Sequence, residues 1–84
     1  MTLTVYGKKG CCLCDQALKA ARALQSKYGY TVAYVDIGDI PELRQKYAEH
    51  LPVLFLDERE VMRGKVGQLP LDRALARLVK RASS

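Results

Sequence analysis

The chain has 84 residues, of which 49% are hydrophobic and 27% are charged, and its formal net charge is +5. This composition excludes a disordered chain, and the length allows one domain with one core. No apolar run approaches the ~20 residues of a membrane-spanning helix, and the lysines after the first apolar stretch do not fit the order of a signal peptide. We therefore expect a cytoplasmic domain over residues 1–81 with no membrane partner, followed by a flexible tail at 82–84.

The first half of the chain has the pattern of a strand, a helix and a second strand. Residues 2–6 alternate in polarity and are rich in β-formers, so they predict a strand that ends at Gly7. Apolar residues then recur every three or four positions from 13 to 28, which predicts a helix ended by Gly29. Residues 30–37 are apolar on both faces, which is typical of a buried parallel strand.

The second half begins with a turn and a short helix. Asp39 is the expected cap of this helix, and Pro41 lies in its first turn. Leu43 and Tyr47 are four positions apart and are expected to face the core together.

Two short strands and a last helix complete the chain. Residues 53–56 and 60–63 predict strands joined by a tight charged turn, and such a connection favours an antiparallel hairpin. Pro70 opens the last helix, whose apolar stripe contains Leu71, Leu75, Leu78 and Val79. Since the strand-helix-strand start favours a parallel pair, the order βαβαββα predicts an α/β fold with a four-stranded mixed sheet and three helices.

All three cysteines lie within four positions, at Cys11, Cys12 and Cys14. This clustering excludes a disulfide framework between distant segments, and it indicates redox chemistry or metal binding. Cys11 lies where the first helix begins, after Lys8 and Lys9, so the helix N-terminus and the lysines are expected to stabilise its thiolate. Cys14 lies within about one turn and is expected to be less exposed, which favours Cys11 as the attacking thiol and Cys14 as the resolving thiol.

Other interpretations of the cysteines stay open at this point. A tetrahedral zinc site needs four ligands, and the three cysteines together with His50 supply that number. An inert buried cysteine cluster is a third interpretation. Cys12 itself is a candidate second resolving thiol, a modification site or a small residue at the surface.

The basic charge does not indicate a nucleic-acid partner. The last helix carries Arg73, Arg77, Lys80 and Arg81, but Asp72 precedes them and no aromatic side chain is interleaved for base stacking. We therefore expect no nucleic-acid partner.

Three segments resemble a known family. They are Leu3-Thr4-Val5-Tyr6-Gly7, Gly10-Cys11-Cys12-Leu13-Cys14 and Leu51-Pro52-Val53-Leu54. Together with the element order they resemble the thioredoxin superfamily and, within it, the small glutaredoxin-like proteins of bacteria. The resemblance implies a thioredoxin-like (glutaredoxin-like) fold and a thiol–disulfide oxidoreductase in cell redox homeostasis.

The resemblance also implies roles for individual residues. Cys11 becomes the nucleophile and Cys14 the resolving cysteine, and Lys8 matches a lysine that supports the thiolate and contacts a glutathione carboxylate. Pro52 matches a cis-proline that leaves the backbone of Leu51 free to pair with an extended substrate. The residues alone do not separate this rare form from an ordinary proline at the start of a strand.

The implied reaction needs no organic cofactor, and glutathione is a candidate reductant or substrate. The expected partners are disulfide-containing proteins or small thiols, and the expected state is a monomer. The alternatives are a module that binds zinc or an iron–sulfur cluster and a redox-sensing adaptor without turnover. The family usually has Pro-Tyr where this chain has Cys12-Leu13, and Thr-Val where it has His50-Leu51, so the use of glutathione stays open.

Overall fold

The computed structural model describes residues 1–83, with side chains described through Lys80. The elements follow the order β1 Thr2–Gly7, α1 Cys12–Ala23, α2 Gln25–Tyr28, β2 Thr31–Asp36, a 3-10 turn Ile37–Asp39, α3 Pro41–Tyr47, β3 Val53–Leu56, β4 Arg59–Arg63 and α4 Gln68–Ser83. None of the helices in this described part has the length and hydropathy needed to cross a membrane.

The four strands form one mixed sheet in the order β2-β1-β3-β4. Strand β1 is parallel to β2 and antiparallel to β3, and β3 is antiparallel to β4. This arrangement confirms the predicted α/β fold, with the parallel pair and the hairpin where the connections require them.

Alternation along the strands directs side chains to the two faces of the sheet. Helices α1 and α4 share the larger cluster of buried residues with β1 and β3; it contains Leu3, Val5, Ala17, Ala20, Ala21, Leu24, Tyr30, Leu54, Leu56, Val66, Leu71 and Leu75. A smaller cluster contains Ile37, Tyr47 and Val53, with Leu43 packed against it. As expected, Tyr47 and Leu43 of α3 face the core.

The predicted helix over 13–28 is two helices. Leu24 has φ −98° and ψ 0° and is buried, so α1 ends at Ala23 and α2 occupies only Gln25–Tyr28. The hydroxyl of Tyr28 donates to the backbone oxygen of Asp72 at 3.0 Å and also to its carboxylate. This contact holds α2 against α4. The described residues thus form four α-helices, where the sequence predicted three.

Two further predictions are wrong. Strand β2 is an edge strand with none of its residues fully buried, because among the described residues no strand pairs with its outer side. Asp39 does not cap α3, whose N-cap is Ile40 without a side-chain hydrogen bond. Instead the carboxylate of Asp36 accepts the N–H of Gly38 at 2.8 Å and caps the 3-10 turn.

The last helix begins at Gln68, two residues before the predicted start at Pro70. Leu71 and Leu75 on its predicted apolar stripe are fully buried. Helix α4 includes Ala82 and Ser83, and Ser84 lies outside the described residues, so the tail expected at 82–84 stays a prediction.

Candidate active site

A tight turn brings the cysteine motif to the start of α1. The N–H of Cys11 donates to the backbone oxygen of Lys8 at 3.1 Å, which closes a four-residue turn. Gly10 is the third residue of that turn and has φ +85°. A type II turn requires a positive φ at this position, which glycine adopts at no steric cost.

Cys11 is the N-cap of α1. Its backbone is extended, with φ −91° and ψ 112°, and its Sγ accepts the backbone N–H of Cys14 at 3.4 Å. Because the first N–H groups of a helix have no partner within the helix, a side chain at this position satisfies one of them. A thiolate there also lies at the positive end of the helix dipole.

The three thiols differ in exposure. Cys11 is half-buried, Cys12 is exposed and Cys14 is fully buried, and all three are reduced. Burial raises the pKa of the Cys14 thiol to about 12, and the neighbouring thiol of Cys11 adds to the rise while the backbone N–H of Lys8 opposes it. Cys14 is therefore a protonated thiol at neutral pH.

The Leu51–Pro52 peptide bond is cis, the form that the family resemblance implied for Pro52. Tyr6 pairs with Val53 across the sheet, so Pro52 lies at the same end of the sheet as Gly7, from which the chain continues to Cys11. Pro52 is buried, and its carbonyl accepts the N–H of Gly64 at 2.8 Å. Leu51 is half-buried against the cluster of Ile37, Tyr47 and Val53.

Lys8 and His50, two other residues that the sequence analysis considered, are both exposed. The Cγ of Lys8 would lie 4.0 Å from a Cβ on Gly38, so the lysine stem extends along the 3-10 turn. Among the described residues, no group of three or more His, Cys, Asp or Glu side chains is arranged to hold a metal ion.

The sequence analysis missed Tyr34, a residue of the edge strand β2. A Cβ on Gly7 would lie 2.6 Å from the Tyr34 hydroxyl and 3.0 Å from the Cβ of Cys14. The phenol therefore lies beside the buried cysteine, and 40% of Tyr34 is exposed. The available sequence signal was the glycine that ends β1, since its lack of a side chain admits both neighbours.

A four-stranded mixed sheet with a CxxC motif at the start of a helix, and a cis-proline at the same end of the sheet, defines a small protein of the thioredoxin superfamily. The family model described as a glutaredoxin-like domain (DUF836) matches residues 2–76. The chain belongs to this glutaredoxin-like family.

Solved structures give the same result. The chain is similar to protein XcR50 from X. campestris, with 32% identity over 88% of this chain and 95% of that one and a TM-score of 0.73. It is also similar to protein Ne2328 from Nitrosomonas europaea, with 28% identity, 86% and 87% coverage and a TM-score of 0.71. Reduced Escherichia coli glutaredoxin has 25% identity, 95% and 99% coverage and a TM-score of 0.66. A search of curated proteins found no significant match.

Proposed function

We propose that this protein is a thiol–disulfide oxidoreductase in which Cys11 is the nucleophile and Cys14 the resolving cysteine. One observation carries the proposal: the N-cap sulfur of Cys11 is partly exposed and accepts the N–H of Cys14, whereas the thiol of Cys14 is buried and protonated. The similarity to E. coli glutaredoxin supports the same kind of chemistry.

In the first step the Cys11 thiolate attacks one sulfur of a substrate disulfide. A mixed disulfide forms on Cys11, and the other substrate sulfur leaves as a thiolate with the electron pair of the broken bond. The N–H of Cys14 and the N-terminus of α1 stabilise the attacking anion before the reaction.

In the second step the sulfur of Cys14 attacks Cys11 and releases the reduced substrate. Cys11 and Cys14 are then oxidised to a disulfide, and two equivalents of glutathione or another thiol donor reduce it again. The reaction needs no organic cofactor, since oxidation of Cys11 and Cys14 supplies the two electrons that reduce the substrate disulfide.

Lys8, Leu51 and Pro52 support substrate binding in this proposal. The backbone of Leu51 has no hydrogen-bond partner among the described residues, so its N–H and C=O are available to an extended peptide. We propose that the partners are disulfide-containing proteins or small thiols and that the protein acts as a monomer in the cytoplasm, where reduced thiols reset the cysteines.

Reduction of insulin disulfides by wild type and three single variants tests this function. Cys11→Ser is expected to abolish turnover, and Cys12→Ser, the matched control two positions before Cys14, is expected to keep it. Cys14→Ser is expected to stop after formation of the mixed disulfide when the substrate cannot resolve it. Equal rates of insulin reduction for wild type and Cys11→Ser would contradict the proposed oxidoreductase activity.

A further inference from the structure

The side chains of Tyr34 and Cys14 both lie close to Gly7. A Cβ built on Gly7 would lie 2.6 Å from the Tyr34 hydroxyl oxygen and 3.0 Å from the Cys14 Cβ. Because both atoms lie so close to one point, they are neighbours in the fold. The ring is part of the contact as well, because its Cε2 lies 2.9 Å from the same point. The phenol therefore forms one wall of the Cys14 site.

The resolving step requires a route for a proton. Cys14 must lose its thiol proton while it attacks Cys11, but its side chain has no exposed surface. Tyr34 is partly exposed, and its hydroxyl has no hydrogen-bond partner among the described residues. The resting protein therefore has no hydrogen bond between the phenol and the Cys14 sulfur, and the relay requires this contact, direct or through one water, to form in the reacting complex.

We propose that the Tyr34 hydroxyl is the positioning and proton-relay group for Cys14, a role that rests on the thiol–disulfide function proposed above. As the Cys14 S–H bond breaks, its proton passes to the phenol oxygen, directly or through one water, and the phenol releases its own proton to the solvent. The Cys14 electron pair forms the bond to the Cys11 sulfur. The bond between Cys11 and the substrate breaks, and the substrate sulfur leaves with that electron pair.

The groups around Tyr34 keep it in the neutral form that a relay needs. Burial raises the pKa of the Tyr34 phenol, and the charges of Cys14, Asp36, Asp15 and Cys11 act in the same direction. The carboxylate of Asp36 already accepts the N–H of Gly38, and Asp15 lies exposed on α1. Charged groups on α1 and on β2 therefore both favour the protonated state of the phenol.

Single-turnover reaction with the aromatic disulfide dithiobis(nitrobenzoate) separates the two steps. The protein carries Cys12→Ser, which removes the exposed third thiol. Attack by Cys11 releases a first coloured thionitrobenzoate, and attack by Cys14 on the mixed disulfide releases a second. The leaving thiolate is a weak base, so it takes the Cys14 proton poorly and a relay group becomes important.

Tyr34→Phe retains the ring and removes only the hydroxyl. We expect the first phase to be unchanged and the second phase to slow by about tenfold or more, since positioned proton transfer typically contributes 10²–10⁴-fold. The slowed phase is also expected to rise about tenfold per pH unit, because it then depends on the small thiolate fraction of Cys14. Tyr6→Phe is the matched control: Tyr6 packs on Tyr47 and Phe55 and is expected to change neither phase.

The outcomes separate the two proposals. A normal second phase and an unchanged pH profile in Tyr34→Phe would overturn the relay, because a packing role needs only the ring. Loss of the first phase in the Tyr34-intact protein would instead overturn the thiol–disulfide function itself. Slowing of both phases to the same extent would also overturn the relay, since it would show a general disturbance of α1.

Discussion

The backbone N–H of Cys14 donates to the Sγ of Cys11 at 3.4 Å, while the thiol of Cys14 itself is fully buried. The two cysteines are therefore not equivalent. The N–H of Cys14 stabilises negative charge on the Cys11 sulfur, whereas burial disfavours negative charge on the Cys14 sulfur itself. A reaction that uses both thiols in sequence would begin at Cys11, and the energetic barrier of the later step would lie at Cys14.

The buried thiol gives the folded protein a pH dependence in the alkaline range. Its pKa is raised from 9.0 to about 12, so the folded state holds this proton more tightly than the unfolded state does. The corresponding stabilisation is complete below pH 9.0 and is lost as the pH rises toward about 12. Denaturant unfolding of reduced protein is expected to show the free energy of unfolding falling across this window.

Cys14→Ala is expected to reduce that alkaline slope without removing it. Tyr30 contributes in the same direction, because burial raises its pKa from 10.0 to about 12. An identical slope in wild type and Cys14→Ala would show that Cys14 ionises in the folded state as easily as in the unfolded one.

A side chain at Gly7 is expected to lower the stability of the fold. A Cβ there would lie 2.6 Å from the Tyr34 hydroxyl and 3.0 Å from the Cys14 Cβ, so Gly7→Ala displaces one of them. Overpacking of this kind typically costs about 1–3 kcal/mol, which thermal or denaturant unfolding measures.

The control for this variant is Gly67→Ala. A Cβ on Gly67 would meet only Pro70, at 3.4 Å, and this position needs no positive φ, so a small effect is expected. The double variant Gly7→Ala with Tyr34→Ala is expected to recover part of the lost stability, because it removes the nearest clash. Equal stability of the two glycine variants would contradict the packing of Tyr34 over Gly7.

Lys8 is expected to support the Cys11 thiolate through its charge. Lys8→Gln leaves the backbone turn intact, since that turn uses only the carbonyl of Lys8, and it is expected to slow the first phase of the dithiobis(nitrobenzoate) reaction a few-fold. The difference is expected to shrink at high ionic strength, because salt screens exposed charges. Lys9→Gln removes the same charge one position later, and an equally large effect there would refute a specific role of Lys8.

The contact between Tyr28 and Asp72 is expected to stabilise the docking of α2 on α4. Tyr28 donates to both the backbone and the carboxylate of Asp72, and Lys27 forms an exposed ion pair with the same carboxylate at 2.8 Å. Tyr28→Phe is expected to lower the free energy of unfolding by about 1–2 kcal/mol. Lys27→Met, the control, is expected to change it less, since exposed ion pairs contribute little. A larger loss of stability in Lys27→Met than in Tyr28→Phe would contradict the role given to the Tyr28 hydroxyl.

The elements of the fold were predictable because their signals are local. The alternation before Gly7, the helical spacing after Leu13 and the hairpin of the last strands each depend on neighbouring residues. The end of α1 at Ala23 was not predictable in this way, since neither glycine nor proline marks Leu24. The contact of Tyr28 with Asp72 joins positions far apart in the sequence, so local spacing does not reveal it either.

The same distinction holds at the candidate site. Cys11, Cys14 and their order along a helix could be inferred from four consecutive positions. Tyr34 could not, because it reaches Cys14 only through the pairing of β2 with β1, and its strand has the composition of a buried strand although it lies at the edge.

The most direct test of the central claim is to identify the sulfur that carries the substrate. Cys14→Ser protein is reacted with a disulfide-bonded peptide, and the trapped adduct is digested and mapped by mass spectrometry. The thiol of Cys12 is exposed and adjacent to Cys11, so either sulfur could carry the peptide and the map distinguishes them. We expect the peptide on Cys11, with Cys12 still alkylated as a free thiol. A peptide carried by Cys12, with Cys11 free, would contradict the assignment of Cys11 as the nucleophile.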